Sequence, residues 1–294
     1  MKLIYILKTL RPYQWTKNLI IFAALLFSKN ILDLNYVILN FWGFLIFCML
    51  SGSVYLFNDV MDRKQDRLHP KKKNRAVASG KVKPVEALVA AFVIAAGTVT
   101  MAFHLRFEFG LSAVFYFLLI VFYSISFKKL VILDVLTLAI GFVVRAVAGG
   151  LLIQVEISDW LLIVTIFLAL FLGFSKRRGE LVNLSKAARD TRPILQSYTI
   201  PLLDQLITIS TASTLMAYTL YTLAPQTIRK FGDRLWITIP VVVYIVFRYF
   251  FLVYARGQGS DPSRTLLRDM PLLVGVIIWI VLVFFLVYNS LLIT

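Results

Sequence analysis

The chain has 294 residues, 60% of them hydrophobic and only 16% charged, with a formal net charge of +16 and a mean hydropathy of +0.82. A soluble domain of this length could not bury so much apolar surface, so the composition excludes that class and predicts a polytopic membrane protein. A single cysteine, Cys48, excludes an internal disulfide framework, and two histidines are too few for a histidine-built metal site. We expect one all-α transmembrane domain over residues 1–294.

The predicted elements begin with an interfacial segment, residues 1–18. It mixes apolar and basic side chains, is too short and too charged to cross a bilayer, and lacks a small-residue cleavage site. Beyond it, apolar windows of about twenty residues predict nine transmembrane helices. The predicted spans cover residues 19–35, 37–57, 85–104, 110–127, 131–152, 160–175, 201–224, 236–255 and 271–292. We expect the functional residues in two cytoplasmic loops, residues 58–84 and 176–200.

The basic residues are unevenly distributed between the two sides of these spans. With a cytoplasmic amino terminus, 24 of the 31 Lys and Arg residues fall on the inner side and five on the outer side, where the five include Lys29 of the first predicted span. This asymmetry predicts a multi-pass protein of the plasma (inner) membrane with its amino terminus inside and its carboxyl terminus outside. The positive face would attract anionic lipids and anionic metabolites. No soluble domain presents a duplex-sized basic patch, so we expect no nucleic-acid partner.

A cluster of carboxylates follows the second predicted span. If the helix continues, Asn58, Asp62 and Asp66 are successive i, i+4 neighbours, and Asp59 lies within about one residue's rotation of them. Carboxylates on one face repel one another unless a cation lies between them. Oxygen ligands are those that Mg²⁺ prefers, so we expect these four residues to hold magnesium together with a diphosphate substrate. The alternative is a solvated helix end.

Basic residues near the inner face are the second set of candidates. Most of them fit the positive-inside pattern or contacts with lipid headgroups. Arg75 is a stronger candidate because the turn at residues 78–80 (Ala-Ser-Gly) would fold it back toward the acidic residues. Lys73 belongs to the same basic run, and we include it among the substrate-binding candidates. Lys17, at the inner end of the first predicted span, is either a snorkelling residue or an anion ligand.

The junction between the fourth and fifth spans supplies further candidates. Tyr123 and Lys128 lie at the predicted inner membrane face. Asp134 and Arg145 are eleven residues apart, close to three helical turns, so both point the same way. Ionised groups inside a membrane helix are costly unless they face a polar cavity, which makes both of them site candidates. A structural link to other helices is the alternative.

Three adjacent cations begin the second predicted loop. Lys176, Arg177 and Arg178 follow a strongly apolar segment, and Glu180 comes shortly after them. Such cations suit phosphate groups, since arginine binds as a fork and lysine as a point charge. The alternative is a plain cytoplasmic anchor. Arg248, a lone arginine in the eighth span, has no evident role in the sequence.

Together these features resemble the UbiA-type membrane prenyltransferase superfamily. Its motif N-D-x-x-D-x-x-x-D is matched in full by Asn58, Asp59, Asp62 and Asp66. The resemblance implies nine helices around a central cavity open to the cytoplasm, a lateral opening for an isoprenoid tail, and magnesium on the acidic motif. Most members carry a second acidic motif, D-x-x-x-D, after the sixth span. This chain departs from that pattern, since residues 176–180 read Lys-Arg-Arg-Gly-Glu.

Within the superfamily, the chain is most similar to the decaprenyl-phosphate phosphoribosyltransferases. The similarity rests on residues 11–18, 55–59 and 69–70, and it extends through 123–124, 145–150 and 176–177. It implies transfer of phosphoribose from 5-phosphoribosyl 1-diphosphate to a decaprenyl-type polyprenyl phosphate, with release of diphosphate. A single acidic cluster facing a basic one suits a site that must hold additional phosphates without metal.

This interpretation assigns a role to each candidate residue. The catalytic candidates are Asp59, Asp62, Asp66, Lys17, Arg75 and Lys176, and the substrate-binding candidates are Lys17, Asn58, Lys73, Arg75, Tyr123, Lys128, Asp134, Arg145, Lys176, Arg177 and Glu180. The acceptor phosphate is already anionic, so attack on the anomeric carbon needs no general base. Either basic cluster can serve the lipid phosphate or the ribose 5-phosphate.

Two other functions stay open at this point. A conventional prenyltransferase would move a polyprenyl group from its diphosphate to an aromatic or glycerol-phosphate acceptor, and the missing second acidic motif argues against it. A transporter of anionic metabolites would need an anion-attracting outer mouth, but the outer segments carry few basic residues. The aromatic-rich outer spans are compatible with a homo-oligomer, although such residues mostly contact lipid.

Overall fold

The computed structural model describes residues 2–70, 72–183 and 193–292. Regular structure in these ranges is helical, as the sequence predicts. Eight helical segments are long and apolar enough to cross a membrane. Their helices are α3 (Leu34–Met61), α5 (Pro84–Leu105), α6 (Phe107–Ile125), α7 (Leu133–Ile153), α8 (Asp159–Asn183), α9 (Ile200–Leu223), α11 (Ile239–Ala255) and α13 (Met270–Leu292).

Short helices connect the long ones. The short α-helices are α1 (Lys2–Thr9), α2 (Phe22–Phe27), α4 (Arg63–Leu68), α10 (Pro225–Phe231) and α12 (Pro262–Arg268). The 3₁₀ helices are Pro12–Ile21, Lys72–Asn74, Phe127–Lys129, Pro193–Gln196, Leu235–Thr238 and Gln258–Ser260. The predicted interfacial segment therefore contains α1 and the start of a 3₁₀ helix.

The first predicted span, residues 19–35, is not one continuous helix. The end of a 3₁₀ helix and the six residues of α2 cover its first part. A new helix then begins inside the apolar run, because the Asp33 carboxylate accepts from the Asn35 amide at 2.9 Å and caps the start of α3. Hydropathy reports burial in lipid and does not detect such a cap. The described residues thus contain eight spanning candidates, and the predicted count of nine is not confirmed.

The sixth predicted span also ends later than expected. We predicted a span over residues 160–175 followed by a loop, but α8 continues to Asn183. The basic residues 176–178 are therefore part of the helix and not of a loop. Our prediction placed the end of the helix where hydropathy drops, but such a drop marks the membrane boundary, and a helix can continue beyond it. Residues 184–192 of the predicted loop 176–200 lie outside the described residues.

The chain divides into two compact units. The first contains α1, the 3₁₀ helix Pro12–Ile21 and α3 to α7, and the second contains α8 to α13. In the first unit, the ring of Phe47 packs against those of Phe109 and Tyr116, with centroids 5.6 and 5.4 Å away. The single domain over residues 1–294 stays a prediction.

Glycines allow two close backbone contacts that position candidate residues. In the first unit, a Cβ at Gly149 would lie 2.1 Å from the carbonyl oxygen of Ile21, so only glycine lets the 3₁₀ helix pack on α7. In the second unit, a Cβ at Gly179 would lie 2.6 Å from the Ser260 nitrogen. The end of α8 is therefore held against the 3₁₀ helix Gln258–Ser260.

Candidate active site

The junction of α3 and α4 presents the acidic motif. Asn58 and Asp59 lie in the last turn of α3, Asp62 separates the two helices, and Asp66 lies in α4. The Asp62 amide donates to the Asn58 carbonyl at 2.9 Å, and the Asp66 amide donates to the Asp62 carbonyl at 2.8 Å. Helical hydrogen bonding thus continues through the junction, as the spacing of the motif predicts.

Two arginines bind the buried carboxylates of this motif. Arg11 forms an ion pair with Asp59 Oδ1, and Arg75 Nη1 lies 3.1 Å from the same oxygen. Arg75 also binds Asp66 Oδ2 at 2.7 Å. Both carboxylates are only 2% exposed, so these pairs are partly shielded from solvent. Burial raises the pKa of Asp66, and the positive charges of Arg75 and Lys72 oppose that rise.

The third carboxylate of the motif has a separate cation. Lys128 Nζ lies 2.5 Å from Asp62 Oδ1. The other oxygen of Asp62 accepts from Asn58 Nδ2 at 2.9 Å. The three carboxylates thus form ion pairs with three cations of the first unit. We expected a cation between these carboxylates because they would otherwise repel one another, and side chains of the protein fill that role here.

The turn after α4 folds Arg75 back onto the acids, as we predicted. The Ser79 amide donates to the Arg75 carbonyl at 2.8 Å, and Gly80 adopts φ +79°, which glycine tolerates best. Arg67 Nε reinforces the turn by donating to the Ala78 carbonyl at 3.0 Å. These local bonds set the direction from which the Arg75 guanidinium approaches.

The donor atoms of the motif fit a hard divalent cation. Asn58 Oδ1 is buried and accepts no hydrogen bond from the described residues, which makes it an oxygen in need of a partner. The amide nitrogen of the same side chain donates to Asp62 Oδ2, so Asn58 adjoins a carboxylate, and Mg²⁺ prefers oxygen ligands of both kinds. No three carboxylate, imidazole or thiol groups in the described ranges are arranged to hold a metal ion as they stand. The carboxylates are instead turned toward Arg11, Arg75 and Lys128.

The structure also gives the positions of three other residues that the sequence predicts to bind substrate: Lys17, Lys73 and Tyr123. Lys17 Nζ donates to Gln14 Oε1 at 3.2 Å. Lys73 is exposed, and Tyr123 is half-buried in α6. Three further predicted ligands contact the carboxylates of the motif directly: Arg75, Lys128 and Asn58.

Arg145 is buried and bonded to neutral groups. Its guanidinium donates to Asn18 Oδ1 at 2.7 Å, to the Gly141 carbonyl at 2.9 Å and to the Tyr116 hydroxyl at 2.5 Å. These contacts join α7 to α6 and to the 3₁₀ helix Pro12–Ile21. They match the structural alternative that the sequence left open.

Asp134 is hydrogen-bonded to a tyrosine of the first unit. Its Oδ1 accepts from the Tyr198 hydroxyl at 2.7 Å, and the same hydroxyl accepts from the Ile132 amide at 2.7 Å. Eleven residues of α-helix separate Asp134 from Arg145, a rise of about 16 Å. Sharing a helix face therefore does not bring these two side chains into contact.

The second unit contains the basic end of α8. Arg177 is 1% exposed and donates to Glu180 Oε2 at 2.9 Å, whereas Lys176 is half-buried. Arg178 Nε binds Asp204 Oδ1 at 2.6 Å, and its guanidinium lies 4.2 Å from the ring centroid of Tyr254. Arg178 thus has a carboxylate partner within the protein.

Sequence reasoning missed two residues. Arg11 lies within residues 11–18, which carry the family resemblance, but has no predicted role of its own, although it directly precedes a proline at the end of an amphipathic segment. Arg248, which had no assignment, binds both carboxylate oxygens of Asp269 at 3.1 and 2.8 Å. Arg11 belongs to the candidate site, whereas Arg248 links α11 to the start of α13.

Comparison with known proteins finds relatives that match most of the chain. Two curated relatives are the decaprenyl-phosphate phosphoribosyltransferases of Mycolicibacterium smegmatis and Corynebacterium glutamicum. The first is 27% identical, over 94% of this chain and 90% of the relative. The second is 29% identical, over 96% and 86%. The fold is similar to that of a UbiA homolog from Archaeoglobus fulgidus bound to GPP and Mg²⁺, with a TM-score of 0.73 and 20% identity over 96% of this chain and 99% of that one.

A family match covers most of the chain. Residues 19–273 match the UbiA prenyltransferase family. This range includes the acidic motif, Arg75, Lys128 and the basic end of α8. The protein is accordingly a multi-pass membrane protein and a member of the UbiA prenyltransferase family.

Proposed function

We propose that the protein is a polyprenyl-phosphate phosphoribosyltransferase. It transfers phosphoribose from 5-phosphoribosyl 1-diphosphate to a decaprenyl-type polyprenyl phosphate at the cytoplasmic face of the plasma membrane. We further propose that the amino terminus lies inside and the carboxyl terminus outside, which requires the interrupted segment 19–35 to cross the membrane as a ninth span in addition to the eight candidates. The observation that carries this proposal is a single acidic motif surrounded by cations, with Lys176 and Arg177 where most family members have a second acidic motif. The names of the two bacterial relatives support the same activity.

The reaction is a substitution at the anomeric carbon of ribose. An oxygen of the polyprenyl phosphate forms a bond to this carbon, while the bond from the carbon to the diphosphate oxygen breaks and diphosphate leaves with the electron pair. The acceptor is already an anion, so no side chain has to remove a proton. The protein must instead hold two anionic substrates together against their mutual repulsion, which is the work of positioning and electrostatic stabilisation.

Asn58, Asp59, Asp62 and Asp66 would hold Mg²⁺ on the diphosphate. The bound ion would neutralise charge that develops on the leaving group. Arg75 and Lys128 are the proposed ligands of the diphosphate or ribose, because both already lie at the carboxylates that would hold the ion. The other proposed substrate contacts are Lys17, Lys73, Tyr123, Asp134, Lys176, Arg177 and Glu180.

The decisive experiment labels the transferred group. Purified protein in detergent is incubated with Mg²⁺, polyprenyl phosphate and phosphoribosyl diphosphate carrying radiolabel in its ribose. We expect the label in the lipid extract and an equal amount of free diphosphate. Because detergent removes sealed compartments, turnover under these conditions also excludes a transporter. If the label stays in the aqueous phase, and a parallel incubation consumes polyprenyl diphosphate and an aromatic acceptor, the conventional prenyltransferase is favoured.

Two variants test the acidic motif in the same assay. Asp62→Asn keeps the hydrogen-bonding shape and removes the charge, so we expect turnover to fall by at least about a hundredfold, as for loss of a major electrostatic contribution. Asp233→Asn makes the same chemical change at an exposed position outside the motif and should retain full turnover. Full Mg²⁺-dependent turnover in Asp62→Asn would refute the metal assignment.

A further inference from the structure

Two arginines converge on one oxygen of the acidic motif. Arg11 and Arg75 both contact Asp59 Oδ1, while Arg75 and Lys128 bind Asp66 and Asp62. A divalent ion that uses these oxygens must approach to about 2.1 Å. At that distance it would lie close to the positive groups that already contact Asp59 Oδ1, Asp66 Oδ2 and Asp62 Oδ1, and it would be repelled by them. The cations and the ion therefore compete for the motif.

We propose that Arg11 is a further substrate-binding residue, which competes with the divalent ion for Asp59 and moves to a phosphate oxygen when ion and diphosphate bind together. This inference rests on the proposed function for the identity of the ion and the diphosphate. It adds a coupling between their binding: each ligand binds weakly alone and strongly with the other. A metal ion that bridges the carboxylates and the diphosphate couples the two by itself, and the inference concerns the share that Arg11 adds.

Charge balance supports the coupling. Asp59, Asp62 and Asp66 are matched by three cations, so the cluster is close to neutral. A divalent ion alone would add positive charge to a site where Asp59 and Asp66 are 2% exposed and charge is poorly screened. An ion accompanied by diphosphate adds net negative charge, which the displaced cations can neutralise through charge-assisted hydrogen bonds.

Arg11 combines an unusual backbone conformation with a guanidinium that lies against an aromatic ring. Arg11 has φ 53° and ψ 62°, a left-handed conformation that a non-glycine residue adopts only when its surroundings impose it. Leu10, 2% exposed, anchors the preceding position against Gly52, where a Cβ would lie 2.9 Å from Leu10 Cδ2. The guanidinium lies 4.7 Å from the ring centroid of Tyr55, a face along which it can move without losing the cation–π contact.

Equilibrium binding of Mn²⁺ to the purified full-length protein tests the inference without any turnover. Mn²⁺ binding is measured by electron paramagnetic resonance, first alone and then with inorganic pyrophosphate at fixed free Mn²⁺. We expect pyrophosphate to tighten Mn²⁺ binding to the unaltered protein by about tenfold or more, a usual size for coupled sites. In Arg11→Gln, Mn²⁺ alone should bind about threefold to tenfold more tightly, because its competitor is gone, and the tightening by pyrophosphate should shrink by a similar factor.

Two further variants show that the effect belongs to this arginine. Arg11→Lys keeps the charge and should restore most of the coupling. Arg264→Gln removes an arginine from an exposed pair with Asp261 in the second unit and should leave both affinities unchanged. If Arg11→Gln fails to fold, Tyr55→Leu removes the ring beneath the guanidinium and should likewise tighten the binding of Mn²⁺ alone.

The possible results separate this inference from the proposed function. If folded Arg11→Gln binds Mn²⁺ alone no more tightly than the unaltered protein, Arg11 does not compete with the ion and the inference is overturned. If the unaltered protein binds no Mn²⁺ even with pyrophosphate, the metal–diphosphate site itself fails, and the inference fails with it. If the coupling is found but the lipid gains no label, only the proposed reaction is refuted.

Discussion

At the scale of single residues, two arginines of the first unit have different kinds of partner. Arg75 binds two carboxylates, whereas the buried Arg145 donates to an amide, a carbonyl and a hydroxyl. An arginine on carboxylates can exchange them for phosphate oxygens when a metal ion replaces it there, since the buried carboxylates then keep a cation. An arginine whose donors bind fixed neutral groups joins helices, and its removal leaves those groups unsatisfied.

Replacing Arg145 by Met tests this difference. The change keeps an unbranched side chain but leaves Asn18 Oδ1 and the Tyr116 hydroxyl without their partner, at a cost of about 1–3 kcal/mol for each unsatisfied buried group. We expect a melting temperature several degrees lower in detergent, with the Michaelis constant for phosphoribosyl diphosphate changed by less than about threefold. An unchanged melting temperature together with a much higher Michaelis constant would show that Arg145 binds substrate.

At the scale of secondary-structure elements, the 3₁₀ helix Pro12–Ile21 packs on α7, and this packing brings Asn18 within hydrogen-bonding distance of Arg145. That packing depends on Gly149, because a Cβ there would lie 2.1 Å from a backbone oxygen of Ile21, which cannot rotate away. Gly97 in α5 has no atom within 4 Å of its hypothetical Cβ. The two glycines therefore form a matched pair for substitution.

Gly149→Ala and Gly97→Ala should change stability in opposite directions. Alanine favours an α-helix over glycine by about 1 kcal/mol, so Gly97→Ala should leave the melting temperature equal or slightly raised. Gly149→Ala should lower it, because the new methyl group forces the 3₁₀ helix away from α7. Thermal unfolding of both variants in one detergent measures the difference. Equal melting temperatures would mean that the close contact at Gly149 does not stabilise the fold.

The link between α11 and α13 predicts a pH-dependent contribution to stability. The hydrogen bonds from Arg248 lower the pKa of Asp269, and the Leu272 amide adds to this effect. Since the folded-state pKa lies below the unfolded value of about 3.9, the stabilisation is present above that pH and is lost as pH falls through the folded pKa. Asp269→Asn should therefore lower the melting temperature at pH 7, and its difference from the unaltered protein should narrow below about pH 4. If the difference in melting temperature stays the same from pH 7 to below about pH 4, the negative charge of Asp269 is not its cause.

At the scale of the whole molecule, the distribution of basic residues predicts the orientation in the membrane. Ser79 lies in the predicted cytoplasmic loop 58–84, and Asp233 lies in a predicted outer segment, and both are exposed. Cysteine substitutions at these two positions should react differently with a membrane-impermeant thiol reagent. In intact cells we expect labelling of Asp233→Cys only, and after lysis labelling of both. The native Cys48 is fully buried and should not react. Labelling of Ser79→Cys in intact cells would reverse the predicted orientation.

The amino-acid sequence by itself determined the class of protein, the acidic motif and the turn that follows it. Apolar windows located the bodies of the eight candidate spanning helices among the described residues, because hydropathy is a property of a contiguous segment. The spacing of Asn58, Asp62 and Asp66 predicted the helical register, because hydrogen bonds four residues apart are local. The residues around Gly80 predicted that Arg75 folds back, since the turn depends on adjacent side chains and one positive φ.

Only the tertiary structure decided which cations meet which carboxylates. Arg11 reaches Asp59 across 48 residues, and Lys128 reaches Asp62 across 66. Such pairings follow from helix packing, which periodicity does not specify, and the same holds for the neutral partners of Arg145. Hydropathy also failed where a polar cap divides the first apolar run and where α8 continues beyond the apolar segment. Helix register, hydropathy and turns depend on neighbouring residues and can be predicted from the sequence, whereas contacts between distant segments depend on the fold as a whole.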